Sequence, residues 1–336
     1  MGIAFSQAPN DRTDIEGPDD QFEEFDRPET IEALADVLRG EGHDVVLLGD
    51  GRELLETVLR QPPDFVVNIA EGSGTSRNRE ARVPAVLEML GIPYWGSDAF
   101  TMSATLDKDL AKRLVLVDVP RGVLLPADLE DEAEVRMRLS VGFGDSLSAP
   151  VILKPSLEGS SKGIRGRCVA DTIDEALEHY RMLALEYRQA ILVEEFILGD
   201  EVTVGLVGDG IEAEVLGLMR ILPTSGESRF VYSLEVKRDW QRRVTYETPA
   251  RLHPRTADRV AMAAKQAYTA LGCRDFARID FRVRDGVPYF LEANPLPGLS
   301  PETSDLVILA RGYGIDHPSL IRKILNASMR RQGLAT

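Results

Sequence analysis

The pattern of apolar and polar positions in the first hundred residues predicts strands and helices in alternation. Three short apolar runs have the length and composition of buried strands: residues 3–6, 45–49 and 64–70. Three segments with helical spacing follow these strands: residues 30–39, residues 52–60 and the segment before Gly91. Strands joined by helices favour a parallel sheet with crossover connections, so residues 1–104 are predicted to form an N-terminal α/β lobe.

The next segment, residues 105–198, is predicted to form a central lobe. It begins with a helix in DKDLAKRLVL and a loop through Pro120 and Pro126. An apolar strand over residues 150–155 then leads into the Gly/Ser-rich loop LEGSSKGIRG and a strand near RCVA. A long helix from Ile173 to Tyr187 and the strand ILVEEFI complete this lobe.

Residues 199–336 are predicted to form a C-terminal lobe built on antiparallel strands. Four segments have the alternating, β-branched character of such strands: VTVGLV, AEVLGLMRI, FARIDFRV and VPYFLEAN. Helices are expected at residues 255–271, 304–312 and 319–331. The expected architecture is therefore an α/β protein of three consecutive lobes.

Composition and charge exclude several classes of function. The 336 residues carry a formal net charge of −16, and a field of that sign repels nucleic acids and anionic membranes. The two cysteines, Cys168 and Cys273, lie far apart and indicate neither a disulfide framework nor a zinc site. No apolar run approaches the roughly 18 residues of a membrane span. We therefore expect a cytoplasmic protein, with the acidic run between Asp11 and Glu32 as a solvated loop.

Two patterns could bind a nucleotide. Lys154 ends an apolar strand, and the glycines and serines that follow it can direct backbone amides and hydroxyls at phosphate oxygens. The lysine precedes the glycines, so this is not a Walker A loop, and an ordinary turn is the competing interpretation. Lys108 and Lys112, one helical turn apart, could reach the same phosphates or form a solvated pair.

Carboxylates at the end of a predicted strand form a second group. Glu194, Glu195 and Glu201 could accept hydrogen bonds from a purine amino group and ribose hydroxyls. The competing interpretation is that they are exposed charges at a strand end.

Period-two spacing on two neighbouring predicted strands gives the sharpest signal. Arg278 and Asp280 share one face of the first strand, and Glu292 and Asn294 share one face of the second. Carboxylate and amide oxygens suit a hard cation such as Mg²⁺, and the arginine could neutralise a transferring phosphoryl group or an oxyanion. A purely structural role would require unpaired charges on a partly buried face, which is costly.

Taken together, four motifs resemble those of the ATP-grasp enzymes, and most of all the D-alanine–D-alanine ligase family. The motifs are K-P-S-x-E-G-S-S-x-G, V-E-E-F-I-x-G-x-E-x-T-V, A-R-I-D-F and L-E-A-N-P-x-P-G. GIPYWGSD followed by LDKDLAKRL is also similar to the family's passage from first to second lobe. The resemblance covers residues 64–310 and implies an ATP-grasp fold, with ATP held between the central and C-terminal lobes, and a homodimer.

The resemblance also implies roles for individual residues. Lys108 and Lys154 would hold the ATP phosphates. The adenine would contact Glu194, Glu195 and Ile197, the ribose would contact Glu201, and Ser160 and Ser161 would belong to a loop that closes over phosphate and substrate. Two Mg²⁺ ions, with Mn²⁺ as an alternative, would bind Asp280, Glu292 and Asn294. Arg278 and the backbone amide of Gly298 would stabilise the tetrahedral oxyanion, and Lys237 on a second mobile loop, at residues 224–240, would contact the γ-phosphate.

The departures from the family pattern fall on the substrate side. The N-terminal Gly-Gly-x-Ser-x-Glu signature, whose glutamate holds an ammonium group in true D-alanine ligases, is replaced by FSQAPNDRTD. NIAEGSGTSRNRE replaces the family's His-Gly-x-x-Gly-Glu-Asp-Gly stretch, and PGLSPETSDL departs from the serine and leucine positions that would hold the second D-alanine. Four arginines are candidates for binding an acidic substrate group, with plain surface charge as the alternative: Arg77, Arg79, Arg82 and Arg238.

The predicted function is ATP-dependent ligation of a carboxylate to an amine through an acylphosphate, with small amino acids or carboxylic acids as substrates. The departures favour a substrate pair other than two D-alanines. Three alternatives stay open: an authentic D-alanine–D-alanine ligase, a regulatory protein that binds ATP without turnover, and a dinucleotide-binding dehydrogenase domain. The last is weakened because no G-x-G-x-x-G follows the first strand.

Overall fold

The computed structural model describes residues 1–8, 17–129, 131–144, 146–227 and 229–334. The N-terminal lobe is a parallel three-stranded sheet in the order β2-β1-β3. Its strands and helices alternate as predicted: β1 (Gly2–Phe5), α1 (Pro28–Gly40), β2 (Val46–Gly49), α2 (Gly51–Arg60), β3 (Val66–Ile69) and α3 (Arg82–Leu90).

Two short helices, α4 (Ala99–Leu106) and α5 (Lys108–Leu114), follow the N-terminal lobe. The apolar pattern did not indicate α4, because most of its residues are buried and it therefore lacks a polar face. The side chains of Asp98 and Asp107 cap the two helices by accepting hydrogen bonds from backbone amides. Ala111 and Val115 join the apolar core of the C-terminal lobe, so α5 is held rigidly beside that sheet.

The central lobe is an antiparallel sheet in the order β4-β7-β5-β6. Its elements are β4 (Gly122–Leu125), α6 (Glu132–Phe143), β5 (Val151–Pro155), β6 (Val169–Ala170), α7 (Ile173–Tyr187) and β7 (Ile191–Glu195). The bounds of α7 agree with the prediction, because Thr172 and Glu175 form a capping box at its start. The expected loop through Pro120 and Pro126 was wrong in part, since β4 lies between these prolines.

The C-terminal lobe is an antiparallel five-stranded sheet in the order β10-β9-β8-β11-β12. Its elements are β8 (Asp200–Val207), β9 (Glu214–Pro223), α8 (Leu234–Arg238), α9 (Trp240–Arg243), β10 (Val244–Glu247), α10 (Pro254–Ala270), β11 (Phe276–Arg284), β12 (Val287–Asn294), α11 (Asp305–Gly312) and α12 (His317–Arg331). The four predicted strands are present. The edge strand β10 and the helices α8 and α9, within or beside the expected mobile loop, were not predicted.

A shared apolar core joins the first and third lobes. Ile3 and Leu34 of the N-terminal lobe are buried in one cluster with Leu306 and Ile324 of the last two helices. Trp95, in the passage between lobes, packs its ring 5.3 Å from that of Phe276. The central lobe has a core of its own. It is therefore attached to the rest of the molecule mainly through the polar cleft that it forms with the other lobes.

Two further predictions concern the cysteines and membrane-spanning segments. Cys168 and Cys273 are both buried, as expected, and burial raises the pKa of each thiol to about 12. In the part of the chain that the structure describes, no helix combines the length and apolar character needed to cross a bilayer.

Candidate active site

Two adjoining cavities occupy the cleft between the lobes. The smaller, about 80 Å³, lies between the central and C-terminal sheets, and the larger, about 660 Å³, extends from it towards the N-terminal lobe. Five residues line both: Tyr232, Lys237, Arg278, Glu292 and Asp305. The cleft can therefore hold one elongated ligand or two ligands in contact.

The pairing of β11 and β12 brings the residues of the proposed metal site together. Arg278 lies opposite Asn294, and Asp280 lies opposite Glu292, so this register puts the two pairs that period two predicted on one face of the sheet. The Arg278 guanidinium donates to Asp280 at 2.9 Å, and the Asn294 amide donates to the same carboxylate at 3.1 Å. Thr203 on the neighbouring strand β8 also donates to Asp280, at 2.8 Å.

The two carboxylates of this face differ in their electrostatics. Burial, together with the charge of Glu292, raises the pKa of Asp280 above its usual range in spite of Arg278. Burial also acts on Glu292, but Lys108, which donates to it at 2.7 Å, outweighs this and holds the pKa of Glu292 well below its usual range. Among the described residues no three His, Cys, Asp or Glu side chains form a ready metal cage. A hard cation here would therefore need phosphate oxygens to complete its shell.

Two lysines beside the cleft, from two different elements, share one carboxylate. Lys154 of β5 and Lys112 of α5 lie 2.5 Å and 3.1 Å from the two carboxylate oxygens of Glu194. Glu194 is fully buried, and although burial raises its pKa, the two lysines lower it overall. Burial in turn lowers the pKa of Lys112 to about 8. The structure thus places Glu194 as an anchor for two lysines.

The remaining residues of the predicted adenine and ribose contacts line the smaller cavity. Glu195 pairs with Arg284 at 2.6 Å, and Glu201 pairs with Arg282 at 2.9 Å. Burial raises the pKa of Glu201. Ile197 is buried on the same wall. The smaller cavity is thus an apolar slot with carboxylates at its edge, placed between two sheets as the resemblance implied.

The Gly/Ser loop bends over the cleft in an uncommon backbone conformation. Ser160 and Ser161 have φ angles of 49° and 60°, a left-handed region that non-glycine residues seldom adopt outside constrained sites. Ser160 lines the larger cavity and Ser161 the smaller. The Ser161 hydroxyl donates to the Tyr232 carbonyl at 2.9 Å, which joins this loop to the segment before α8.

Two more predicted catalytic positions face the cavity. The Lys237 side chain is half-buried, and its ammonium lies 5.2 Å from the centre of the Tyr232 ring. Burial and the charge of Arg278 lower the pKa of Lys237. Gly298 lines the larger cavity, where a side chain is excluded because its Cβ would lie 2.8 Å from the Ser304 hydroxyl.

Asp305 was missed by the sequence reasoning. Its carboxylate, almost fully buried, lies 3.2 Å from the Arg278 guanidinium and accepts a hydrogen bond from the Tyr232 hydroxyl at 3.3 Å. Together with Asp280 it gives Arg278 two carboxylate partners. The signal was present in PGLSPETSDL, where an aspartate opens a helix directly after the Gly298 loop.

The expectation of a solvated acidic run was wrong in part for its described residues, 17–32: Asp19, Glu23, Glu29 and Glu32 are exposed, but Asp20 and Glu24 are not. Asp20 is fully buried, and the Glu24 side chain is only 4% exposed. The physical reason is that the folded chain supplies partners for both carboxylates. Arg79 and Lys162 neutralise Glu24, and two backbone amides of the Gly/Ser loop donate hydrogen bonds to Glu24 and Asp20. Residues 11–16 of the run lie outside the described residues.

The four arginines proposed to read an acidic substrate all have partners within the protein. Arg77 pairs with Asp107 at 3.2 Å, and Arg82 donates to the Ser73 carbonyl at 2.9 Å. Arg79 is buried against Glu24 at 3.0 Å. Arg238 donates to Glu23 at 2.9 Å. These partners already engage donor groups of the arginines that an acidic substrate would need.

Three carboxylates on the N-terminal-lobe side of the larger cavity were not predicted: Asp26, Glu71 and Glu80. Within the described ranges no hydrogen bond or ion pair reaches the carboxylates of Asp26 and Glu71. Glu80 is 7% exposed, and its cationic neighbour is Arg79 at 3.7 Å. Burial raises the pKa of Asp26 to about 7, that of Glu80 to about 8, and that of Glu71 well above its usual range. We call these three residues the acidic wall.

The cleft lies between two antiparallel sheets and is lined by a Gly/Ser loop, by lysines and by the carboxylates of β11 and β12. This arrangement is that of the ATP-grasp ligases. Solved structures of such ligases superimpose on nearly the whole chain. A D-alanine–D-alanine ligase from Bacillus anthracis complexed with ATP superimposes with a TM-score of 0.70 at 22% identity, covering 99% of this chain and 98% of that one. The VanG D-Ala:D-Ser ligase from Enterococcus faecalis gives a TM-score of 0.71 at 21% identity, covering 97% and 99%.

The sequence comparisons narrow the class to one family. Residues 122–326 match the family model described as the D-ala D-ala ligase C-terminus. A D-alanine–D-alanine ligase from Gloeobacter violaceus is 31% identical over 289 residues, which are 86% of this chain and 89% of the relative. The chain belongs to the D-alanine–D-alanine ligase family of ATP-dependent carbon–nitrogen ligases, and the resemblance drawn from the motifs is confirmed.

Proposed function

We propose that this protein joins a carboxylate to an amine through an acylphosphate, with at least one substrate that carries a cationic group and with a pair other than two D-alanines. The observation that carries the proposal is the charge of the larger cavity. Lys108, Arg278 and Lys237 lie on its reacting side, and the acidic wall lies on its N-terminal-lobe side. A substrate cation beside the acidic wall would favour the ionised form of these carboxylates, so the cavity suits a substrate that is anionic at one end and cationic at the other.

The reaction would begin at the junction of the two cavities. A carboxylate oxygen of the first substrate attacks the γ-phosphorus of ATP, and the bond to the ADP oxygen breaks. Lys154 and Lys108 would bind the phosphates, and Ser160 and Ser161 of the Gly/Ser loop, which line the two cavities, would cover them. Asp280, Glu292 and Asn294 would hold Mg²⁺, whose donor preference this oxygen set fits and which, when bound, neutralises phosphate charge.

The second step transfers the acyl group. The amine of the second substrate attacks the acyl carbon, loses its proton, and the carbon–oxygen bond to phosphate breaks, which leaves an amide and inorganic phosphate. Arg278 and the Gly298 amide lie where they would stabilise the oxyanion that forms on the way. Because Asp305 already pairs with Arg278, a carboxylate on the second substrate would have to compete with a buried internal partner.

The substrate preference follows from the charges that remain unbalanced. Of the arginines that could bind an acidic group, Arg77, Arg79 and Arg238 pair with carboxylates and only Arg82 has a neutral partner, a carbonyl. Asp26 and Glu71 have no cationic partner among the described residues. An isolated buried carboxylate is costly, and a ligand cation at the same place removes that cost. We therefore expect amino acids with a basic side chain, or small diamines, to be favoured over acidic ones.

The test is phosphate release from ATP and Mg²⁺ across pairs of amino acids of both chiralities, basic, neutral and acidic, with mass spectrometry of the products. A basic substrate should give the highest kcat/KM, and Glu71→Gln should raise its KM roughly tenfold with little change in the KM of ATP. Asp64→Asn, on an exposed loop, is the matched control. Highest activity with D-alanine alone would instead identify an authentic D-alanine–D-alanine ligase, and tight ATP binding without turnover across the panel would favour a regulatory protein.

A further inference from the structure

The described part of the acidic run crosses the mouth of the larger cavity. We call residues 17–27 the acidic strap. It is made of turns rather than a strand or helix, and one backbone bond, from the Asp26 amide to the Ser6 carbonyl, ties its end to β1. Several of its carboxylates contact the Gly/Ser loop, α8 and Arg79. Charge pairing therefore contributes to the position of this segment.

Glu24 makes the central contact of the strap. One carboxylate oxygen accepts a hydrogen bond from the Gly159 amide at 2.6 Å, and the other lies 2.6 Å from the Lys162 ammonium. Arg79, itself only 2% exposed, donates to both oxygens at 3.2 Å and 3.0 Å. Burial raises the pKa of Glu24, but Lys162 and Arg79 lower it overall, so the carboxylate is charged at neutral pH.

The strap holds the Gly/Ser loop at both ends. Asp20 accepts hydrogen bonds from the Gly163 amide at 3.0 Å and from the Tyr187 hydroxyl at 2.7 Å. Glu24 at one end and Asp20 at the other therefore bracket Ser160 and Ser161, whose left-handed backbone persists only where the surroundings enforce it.

The strap also contacts the second segment that covers the cleft. Arg238 of α8 donates to Glu23 at 2.9 Å and lies 3.4 Å from Asp19. Lys237, the neighbour of Arg238, faces both cavities. One short segment of the N-terminal lobe thus fixes covering elements of both other lobes.

Resting on the proposed function, we propose that Glu24 is a positioning residue: it holds the Gly/Ser loop closed so that the amine, and not water, takes the acyl group. Water attack on the acylphosphate returns the carboxylate and inorganic phosphate, spends one ATP and forms no amide. Excluding water is how a closed site prevents this hydrolysis. Loss of Glu24 should therefore separate phosphate release from ligation.

The experiment measures phosphate and ligated product in the same reaction. The wild-type protein should release one phosphate for each amide formed, and Glu24→Gln should raise this ratio about threefold or more, with a higher KM for ATP. Glu29→Gln, on the exposed first turn of α1, is the control and should keep the ratio. A ratio of one in Glu24→Gln, at any rate of turnover, would overturn the proposal.

Hydrogen exchange of the peptide that covers residues 157–165, without nucleotide, gives a readout that does not depend on turnover. Exchange there should speed up in Glu24→Gln, while α12 keeps its protection. If Glu24→Gln loses protection throughout the chain, the measurement is repeated with Glu24→Asp. The aspartate keeps the charge, but its shorter side chain withdraws the carboxylate from the Gly159 amide. Unchanged exchange in residues 157–165 would refute the positioning role, whereas absence of phosphate release from the wild type would refute the proposed function and leave the exchange result to decide the role of Glu24.

Discussion

The two sides of the larger cavity are built in different ways. On the reacting side, Arg278, Asp280, Glu292 and Asn294 project from two paired strands whose register fixes their spacing. On the N-terminal-lobe side, the acidic strap and the acidic wall lie in turns and loops that no ladder of backbone bonds aligns. The first arrangement is determined locally, and the second depends on which distant cations the folded chain supplies.

This difference also separates what the family shares from what distinguishes this chain. The strand side carries motifs that the chain has in common with ATP-grasp ligases, and the loop side carries two of the three departures from the family pattern, FSQAPNDRTD and NIAEGSGTSRNRE. A rigid, sheet-borne centre for phosphate chemistry combined with a loop-borne substrate wall allows the substrate to change while the chemistry is kept. The following predictions test whether the two sides are as separate as their construction indicates.

The largest effect is expected on the strand side, from Glu292→Gln. The substitution keeps the shape but removes the charge that pairs with Lys108 and would bind Mg²⁺, so kcat should fall about 1,000-fold and the Mg²⁺ concentration for half activity should rise. Phosphate release measured over a range of Mg²⁺ checks this, and Glu302→Gln, exposed on the same lobe, is the control. A loss below tenfold would contradict a metal role for Glu292.

On the loop side, Arg79→Met should act on stability before activity. Arg79 is buried among Glu24, Glu80 and Glu158, and removing it leaves uncompensated carboxylates, at a cost of about 3 kcal/mol in the free energy of unfolding. Urea denaturation checks this, with the exposed Arg52→Met as control. A raised substrate KM with unchanged stability would restore Arg79 as a residue that reads the substrate.

Lys154 and Lys112 share the Glu194 carboxylate, so a comparison of their variants can distinguish a lysine that binds ATP from one that only holds Glu194 in place. Lys154 lines the smaller cavity, whereas Lys112 supports Glu194 and donates to the Leu291 carbonyl. Lys154→Met should raise the KM of ATP roughly 30-fold, and Lys112→Met roughly fivefold, because only the former would lose the proposed phosphate contact. Steady-state kinetics in ATP measures both, and equal effects would show that Glu194 and its lysines act as one unit.

Much of the fold could be predicted because its signals are local. The apolar period and the capping box determined α7. Period-two spacing was enough to place Arg278 with Asp280, and Glu292 with Asn294, but the register that joins the two pairs came from the structure. The helix α6 could also have been found, because Val135, Leu139 and Phe143 recur every fourth residue and are buried. The helix α4 could not, since burial on most sides removes the contrast on which such a prediction depends.

The acidic strap shows where local signals end. Ten acids in 22 residues normally indicate a solvated segment, and nothing near Glu24 in sequence indicates its partners, which lie 55 and 138 residues away. Gly159 adds a second requirement, because a Cβ there would lie 2.5 Å from the Glu24 carboxylate. Burial of these charges is a property of the assembled lobes, so sequence reasoning placed them in solvent.

The smallest predicted effect distinguishes the wall from ordinary surface acids. Burial raises the pKa of Asp26 from 3.8 to about 7, so between these values the folded protein holds a proton that the unfolded chain has released. Its contribution to stability therefore decreases as pH rises through that range. Asp26→Asn should raise the urea midpoint by about 0.5 M at pH 8 and leave it nearly unchanged at pH 4, whereas the exposed Asp64→Asn should leave it nearly unchanged at both pH values.

An added cationic substrate should stabilise the wild type more than Asp26→Asn at pH 8, because only the wild type offers it the ionised carboxylate. Equal stabilisation of both proteins would mean that Asp26 does not contact the cation, and only Glu71 and Glu80 of the acidic wall would then be left to bind it.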